Sequence, residues 1–491
     1  MERAMPGRKD RSMKKLLSAT LIIILVITMC STCVLCTSAA SNFGVKYPTK
    51  NDIIKKMNEL DIDLSGGDGY SSGYSLDPSG FALGAMDIAS QKKALNFINF
   101  YRYIAGIPYD VTLNSEYSEY AQAASLICAA NGYLSHKPPQ PSGMSSSLYE
   151  ECYKSAGRSN LAMGFDNIRE ATIFGWMDES YSDNIDRVGH RRWILNPYMK
   201  ETGFGKVEDF YSMYSFDESR EGSFTGDYVA WPAPNTPLEM FSGSVFSVNL
   251  GDAYDDPSID RVKVKISSKT LDQTWSIDKN SGWDLYVNND NYGMSKCIIF
   301  KVADFTDEDT LNVTISGIYK DGKESPIQYT VNLFALSEIT ADRTTIVMKP
   351  KTIAETGVTA RSDLMSEEPY IDWGFDADGA AFITTEDQIF ANKVGRCQIT
   401  ASILNDIMSV TLDVIVKDSE FLLGDADGDD KVSVADVTMI QLYLAGMSSD
   451  NYCDYDCDVN GDGVQDILDV TSIQRYLAGR STPYGVGESQ L

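Results

Sequence analysis

The sequence predicts a multi-domain chain: one α/β domain, two all-β sandwiches in tandem, and a small all-α module at the C-terminus. Three observations carry this. Apolar residues recur at helical spacing from about residue 90, and beyond Trp231 the register switches to short alternating segments. A 33-residue unit is then duplicated between 425 and 480. The length of 491 residues suits three to four domains of about 100–200 residues each.

The N-terminus opens with a basic lead (Arg8, Lys9, Arg11, Lys14, Lys15) and an apolar run from Leu16 to about Leu35. Ser38 and Ala40 then suit the −3 and −1 positions of a signal peptidase site, so 1–40 reads as a cleaved signal peptide. A retained anchor is the alternative, because the run is near spanning length. The mature chain is expected to be secreted, with no membrane insertion after cleavage. Residues 41–85, rich in Gly and Ser ("DLSGGDGYSSGYSLDPSG"), read as a linker or N-terminal extension.

Hydrophobic content of 43% with 11% aromatics can build ordinary cores. The net charge of −28, from 70 acidic and 42 basic residues, argues against nucleic acid and anionic membranes as partners, since both demand a basic footprint. Six cysteines follow the leader: Cys128, Cys152, Cys297, Cys397, Cys453 and Cys457. That is too few for a disulfide framework. Cys128 with Cys152, and Cys453 with Cys457, are the candidate pairs.

From Met86, "SQKKALNFINFYRYIAGIP" repeats apolar residues at helical spacing and stops at Gly106. A second helix runs through "NSEYSEYAQAASLICAANGYLSH", capped by Asn114 or Ser115 and ending near Gly132. A third covers "DNIREATIFGWMDESY", and 203–232 looks β-like. The alternating segments "SVFSVNL", "RVKVKIS", "CIIFKVA", "LNVTISGIY" and "QYTVNLFAL" predict a β-sandwich over 228–336. A second, at 337–418, follows from "TTIVMKP", "AAFITT", "CQITASI" and "VTLDVIVKD". Neither carries a catalytic constellation, and both read as spacers or binding modules.

The duplicated segments are "DADGDDKVSVAD" (425–436) and "DVNGDGVQDILD" (458–469). Loop positions 1, 3, 5, 9 and 12 hold Asp425, Asp427, Asp429, Ser433 and Asp436, then Asp458, Asn460, Asp462, Asp466 and Asp469. Position 7 offers a backbone carbonyl, from Lys431 and Val464. Oxygens at these offsets wrap a hard cation, so two calcium ions are expected. Asp430 stands where the loop usually has Gly, which should strain the first copy. One helix follows each loop, and nine of the eleven residues 436–446 recur at 469–479.

Asp at position 12, with only the exiting helix, resembles a type I dockerin over 421–481, leaving a tail at 482–491. The resemblance implies a cohesin module of a scaffoldin as partner and a cellulosome or cell-surface location. It also implies a docking face at loop positions 10 and 11, here Val434 and Ala435, then Ile467 and Leu468. Both pairs are apolar but differ in size, so the two halves need not bind equally. Folding should require calcium, because the carboxylates repel one another without it.

Only two histidines occur in the chain, His136 in "GYLSHKPP" and His190 in "VGHRRWILNP". With "LNFINFYRYIAGIP", "YAQAASLICAANGYLSH", "GRSNLAMG", "WMDES" and "GHRRWILNPYMKETGFG", residues 86–227 resemble the CAP superfamily (SCP or PR-1-like). That implies an α-β-α sandwich, with "YVAWPAPNTP" (228–237) as the hinge into an Ig-like β-domain. The family cavity carries two His and two Glu. By motif these fall on His136, His190 and Glu179, while Ser159 occupies the second glutamate's slot. Glu150 or Glu151 are candidates to replace it in space. Two imidazoles and a carboxylate can bind zinc with an open position, or act as a metal-free acid–base pair.

The functional expectation is a secreted cellulosome component that docks through calcium loops and supports plant polysaccharide degradation. Its α/β domain would take a ligand that the sequence leaves unnamed. Two alternatives stand beside it: a peptidase- or esterase-type hydrolase using His136, Glu179 and His190, and a non-catalytic binding module. No segment is left to host the paired carboxylates of a glycosidase.

Overall fold

The computed structural model describes residues 42–180, 183–376, 379–417, 422–429, 431–447, 452, 457–461, 464–482 and 484–488. The signal-peptide expectation lies outside these residues, as do Asp430, Cys453 and Asp462. Among the described residues, no helix is long and apolar enough to cross a membrane.

The α/β unit is built on a three-stranded antiparallel sheet. Phe210–Tyr214 pairs with Ser159–Met163 on one side and Phe204–Val207 on the other. Side chains alternate across a strand, and here the alternation divides two cores. Leu161, Val207 and Phe210 face Leu126, Ile127 and Cys152. Ala162, Phe204, Tyr211 and Met213 face Phe97, Ile98 and Trp176. The helices Ser115–Asn131 and Ser146–Ala156 cover the first face. The helix Ile88–Ile104 and the segment 168–177 cover the second. This is the expected α-β-α sandwich.

Local chemistry sets the helix ends. The Asp87 side chain accepts the Ser90 N–H at 2.8 Å, and Asn114 accepts those of Glu116 (2.9 Å) and Tyr117 (3.2 Å). Gly132 ends the second helix at φ +74°, a conformation that costs glycine little.

Residues 42–85 differ from the linker expectation. They form the helix Lys50–Glu59 with Ile53 and Met57 buried, and Ile62 and Leu64 join the main core. Asp68 forms an ion pair with Arg169 in which both side chains are fully buried. Burial of apolar and charged groups, rather than composition, makes this stretch part of the fold.

The first β-sandwich packs two sheets. One orders Asp284–Asn288, Cys297–Lys301, Phe246–Leu250 and Tyr228–Trp231; the other orders Gln273–Ile277, Lys263–Ser268, Asp309–Ser316, Ile327–Phe334 and Asn235–Pro237. Its core residues Val248, Phe300, Ile266, Val313 and Val331 are continuous with Phe97, Tyr101 and Trp176 of the α/β unit. The Tyr101 and Trp231 rings meet at 5.2 Å across that junction. A spacer would have its own core; this module shares one.

The second sandwich has a separate core around Ile346, Ile389, Ile399, Leu412 and Val414. Its larger sheet orders Thr345–Met348, Met408–Val416, Gly395–Ile403 and Asp372–Phe375, against a three-stranded sheet of Ile353–Glu355, Gln388–Ala391 and Ala381–Ile383. The C-terminal helices Val434–Leu444 and Ile467–Leu477 pack through Val437, Ile440, Val470 and Ile473. These are equivalent positions of the repeat, so the module is its own internal pair. Cys128 and Cys152 lie in one core cluster as free buried thiols, not as a bridge.

Candidate functional site

The two acidic loops share one hydrogen-bond scheme. Asp436 Oδ1 accepts the N–H groups of Ala426 (2.8 Å) and Asp427 (3.2 Å), and Oδ2 accepts that of Ser433 (2.6 Å). Asp469 does the same with Val459 (3.0 Å), Asn460 (3.2 Å) and Asp466 (2.8 Å). The last residue of each loop therefore folds the loop back onto its own start. Ser433 and Asp466 then cap the following helices by accepting from Ala435 (3.0 Å) and Leu468 (2.6 Å).

Carboxylate oxygens of Asp425, Asp427 and Asp429 converge to within 4.8 Å of one another. Asp427 is held above its ordinary value by burial first and then by Asp436 and Asp429. Hard oxygen donors brought together at the cost of mutual repulsion fit a calcium ion, which would neutralise them. Asp458, Asn460, Asp466 and Asp469 hold the equivalent sequence positions of the second loop; their partner Asp462 lies outside the described residues. Lys431 and Val464 sit exposed on the loops. Val434, Ala435, Ile467 and Leu468 are also exposed, at the first turns of the two helices, with Val434 69% and Leu468 56% accessible.

The histidines meet in the α/β unit. Their ring centroids are 6.3 Å apart, at a cavity of about 220 Å³ that Ser159 also lines. His136 Nδ1 lies 2.7 Å from the Ala156 carbonyl, so it carries the proton and leaves Nε2 for the cavity. Glu179 reaches its place through an unusual backbone. Residues 171–177 form a π-helical turn, in which the Asp178 N–H bonds Ile173 O, and Glu179 follows at φ +56°. Such turns recur at functional sites.

Glu179 Oε1 accepts the His190 backbone N–H at 2.7 Å. The same oxygen lies 2.7 Å from His190 Nδ1. Among the described residues that ring nitrogen has no hydrogen-bond partner, so the backbone N–H makes the hydrogen bond that holds Glu179 against His190. Fully buried, the carboxylate orients His190 from behind.

Ser159 is buried and donates to Ser155 O at 2.9 Å, away from any acid–base role. Glu150 and Glu151 do not replace the missing glutamate: both are exposed and line a different depression with Tyr120 and Arg158. Zinc at the histidines is not supported: among the described residues the three loop aspartates are the only set of three converging metal-type ligands. The arrangement offers two imidazoles, one set by a carboxylate and one by a carbonyl.

Burial holds His136 below the ordinary imidazole value of 6.5, the Ala156 carbonyl opposing this and His190 and Arg187 adding to it. NMR titration is expected to show a midpoint under 6.5 for the His136 imidazole, whose signal His136→Gln removes. The unfolded chain then takes up this proton first, so the contribution of His136 to stability is constant above pH 6.5 and falls as acid is added below it. A midpoint at or above 6.5 for His136 would contradict its buried geometry.

An α-β-α unit with paired histidines, fused to β-sandwiches and ending in a duplicated acidic loop, defines a modular architecture. Residues 95–221 match the family model of CAP, the cysteine-rich secretory protein family, and residues 423–479 match the dockerin type I domain. The chain thus carries a CAP domain and a C-terminal type I dockerin, the module of cellulosome docking and calcium binding.

No curated protein is similar enough to the chain to match it. Among solved structures, the N-terminal part of the bacterial S-layer protein SbsC is 15% identical, covering 35% of this chain and 41% of that one at a TM-score of 0.15. The N-terminal Ig1-2 module of the Drosophila receptor protein tyrosine phosphatase DLAR is 10% identical, covering 35% and 89% at 0.15. The chain spans less than half the length of the first three S-layer structures it matches. At such scores the strand pairings above, not these likenesses, define the sandwiches.

Sequence reasoning missed Asn184, Trp193, Phe216, Asn291 and Tyr292, which line the histidine cavity. Trp193 lies inside the recognised "GHRRWILNP" string, so a signal for it existed. The loop carrying Asn291 and Tyr292 lies about a hundred residues downstream with no pattern to link it.

Proposed function

We propose that this chain is a secreted cellulosome component that docks onto a scaffoldin cohesin and presents its CAP cavity in support of plant polysaccharide degradation. The carrying observation is the matched scheme at Asp436 and Asp469, in which two loops 33 residues apart close by the same three backbone bonds. Two calcium ions, one per loop, would hold the paired helices in register. Val434 and Ala435 on one half, and Ile467 and Leu468 on the other, form the apolar docking faces. Their different bulk supports unequal affinity of the two halves for one cohesin.

The test is capture on a panel of immobilised scaffoldin cohesins. Binding in calcium, abolished by chelator and restored by calcium, is expected for at least one of them. A folded, calcium-loaded chain that no cohesin captures would end this reading.

The Glu179–His190 contact favours a second reading, a metal-free His/Glu-dependent hydrolase. A carboxylate behind an imidazole is how a general base is oriented. His136→Ala with His190→Ala should then abolish turnover of ester or peptide substrates and spare cohesin capture.

A further inference from the structure

The α/β unit does not close the histidine cavity alone. One wall is Asn291 and Tyr292, from the loop between the strands Asp284–Asn288 and Cys297–Lys301 of the first sandwich. Arg192, two residues after His190, fastens that loop. It donates to Asn288 Oδ1 at 2.8 Å and to the carbonyls of Asp290 and Met294. Its guanidinium lies 4.9 Å from the Tyr292 ring centre. Gly189 makes room for the ring, since a Cβ there would come within 3.1 Å of it. Arg191, fully buried, reaches Val245 O at 2.7 Å and Ser247 Oγ at 3.2 Å in the same sandwich. His190 is therefore followed by two side chains anchored in the neighbouring module.

We propose that this cavity is a two-module binding site for an uncharged sugar ring of a polysaccharide, with Tyr292 and Asn291 as its specificity wall. The inference deepens the polysaccharide role proposed above and is independent of docking. Flat apolar surface comes from Tyr292 and from Trp193 stacked on Phe216 at 4.4 Å and 27°. Such surface suits the apolar face of a pyranose. The polar groups around it are mostly amides, imidazoles and hydroxyls, which both donate and accept as sugar hydroxyls do, and the one cation among them, Arg187, is paired with Asp186 at 2.8 Å and with Asn184 Oδ1 at 2.7 Å. Among the described residues no carboxylate lines the cavity, which disfavours a cationic peptide. The polar rim disfavours a lipid chain. At about 220 Å³ the space lies below the roughly 300–1,000 Å³ of drug-sized sites, so it holds one ring and leaves the rest of the polymer outside.

The experiment titrates the full calcium-loaded chain with cellotetraose, xylotetraose and an uncharged tetrapeptide, reading the two imidazole signals by NMR and the heat by calorimetry. At least one saccharide is expected to shift both imidazoles. Tyr292→Ala should weaken that binding about tenfold or more, with Tyr292→Phe close to wild type and Asn291→Ala intermediate. Cohesin capture on the same samples should not change. No imidazole shift with either saccharide overturns the proposal, as does a shift with the peptide alone. Unaltered affinity in folded Tyr292→Ala also overturns it. Loss of cohesin capture instead would concern docking and leave the cavity standing.

Discussion

Replacing Asp436 and Asp469 together by alanine will abolish cohesin capture and unfold the C-terminal helix pair, in calcium as well as in chelator. Each carboxylate accepts three backbone N–H groups, and those of Ala426 and Val459 belong to buried residues. Leaving a buried donor unpaired costs about 1–3 kcal/mol. Six lost bonds, plus a lost ligand in each loop, exceed what a core of eight buried apolar residues can offset in so small a module.

Asparagine at both positions keeps one acceptor oxygen and removes the charge. It should retain part of the helix signal and lose calcium affinity, which separates backbone closure from cation binding. Protease nicking confined to the tail, together with cohesin capture, reads both effects. Full capture by the double alanine variant would show that the loops do not organise the docking face.

What could be read from the sequence was local. The loop ligands sit at fixed offsets within twelve residues, so spacing alone reveals them. Asn114 and Gly132 mark the ends of their helix because caps and left-handed turns depend on single residues. His136 and His190 line one cavity, and Glu179 lies behind His190.

What stayed hidden depends on residues far apart or on backbone geometry. The helix Ser146–Ala156 is an exception, since Leu148, Tyr149, Cys152 and Ala156 recur at helical spacing inside a polar, serine-rich stretch. The left-handed backbone at Glu179 and at Val188 (φ +42°) is imposed by packing around the π-helical turn. Tyr292 reaches the cavity only because Arg192 holds its loop there. The sandwich it belongs to looked like a spacer because its strands carry no polar constellation. Its role lies in one loop and in a core continuous with the α/β unit.

Asp68→Ala is the decisive test of how much of the chain the α/β unit needs, and it should destabilise that unit by about 3–5 kcal/mol. Asp68 Oδ1 lies 3.1 Å from the Arg169 guanidinium, with both side chains at 0% exposure. Asp68 Oδ2 accepts the Ile168 N–H at 2.7 Å, at the start of the segment leading to Glu179. Arg169 also donates to the carbonyls of Ser65 and Gly66, which fixes the Gly-rich turn.

Burial pushes the Asp68 carboxyl up more than Arg169 draws it down. Forming the pair therefore gains little, while breaking it strands a buried guanidinium charge. Asp68→Asn should fall between, since it keeps the acceptor for Ile168 and loses the charge. Hydrogen exchange across 168–177 is the readout, because the chain has several modules and no single unfolding transition. Faster exchange there, spreading to the His190 segment, is expected. Unchanged exchange would mean that the serine- and glycine-rich stretch is the dispensable lead-in its composition suggests, and that the cavity is held from the sandwich side alone.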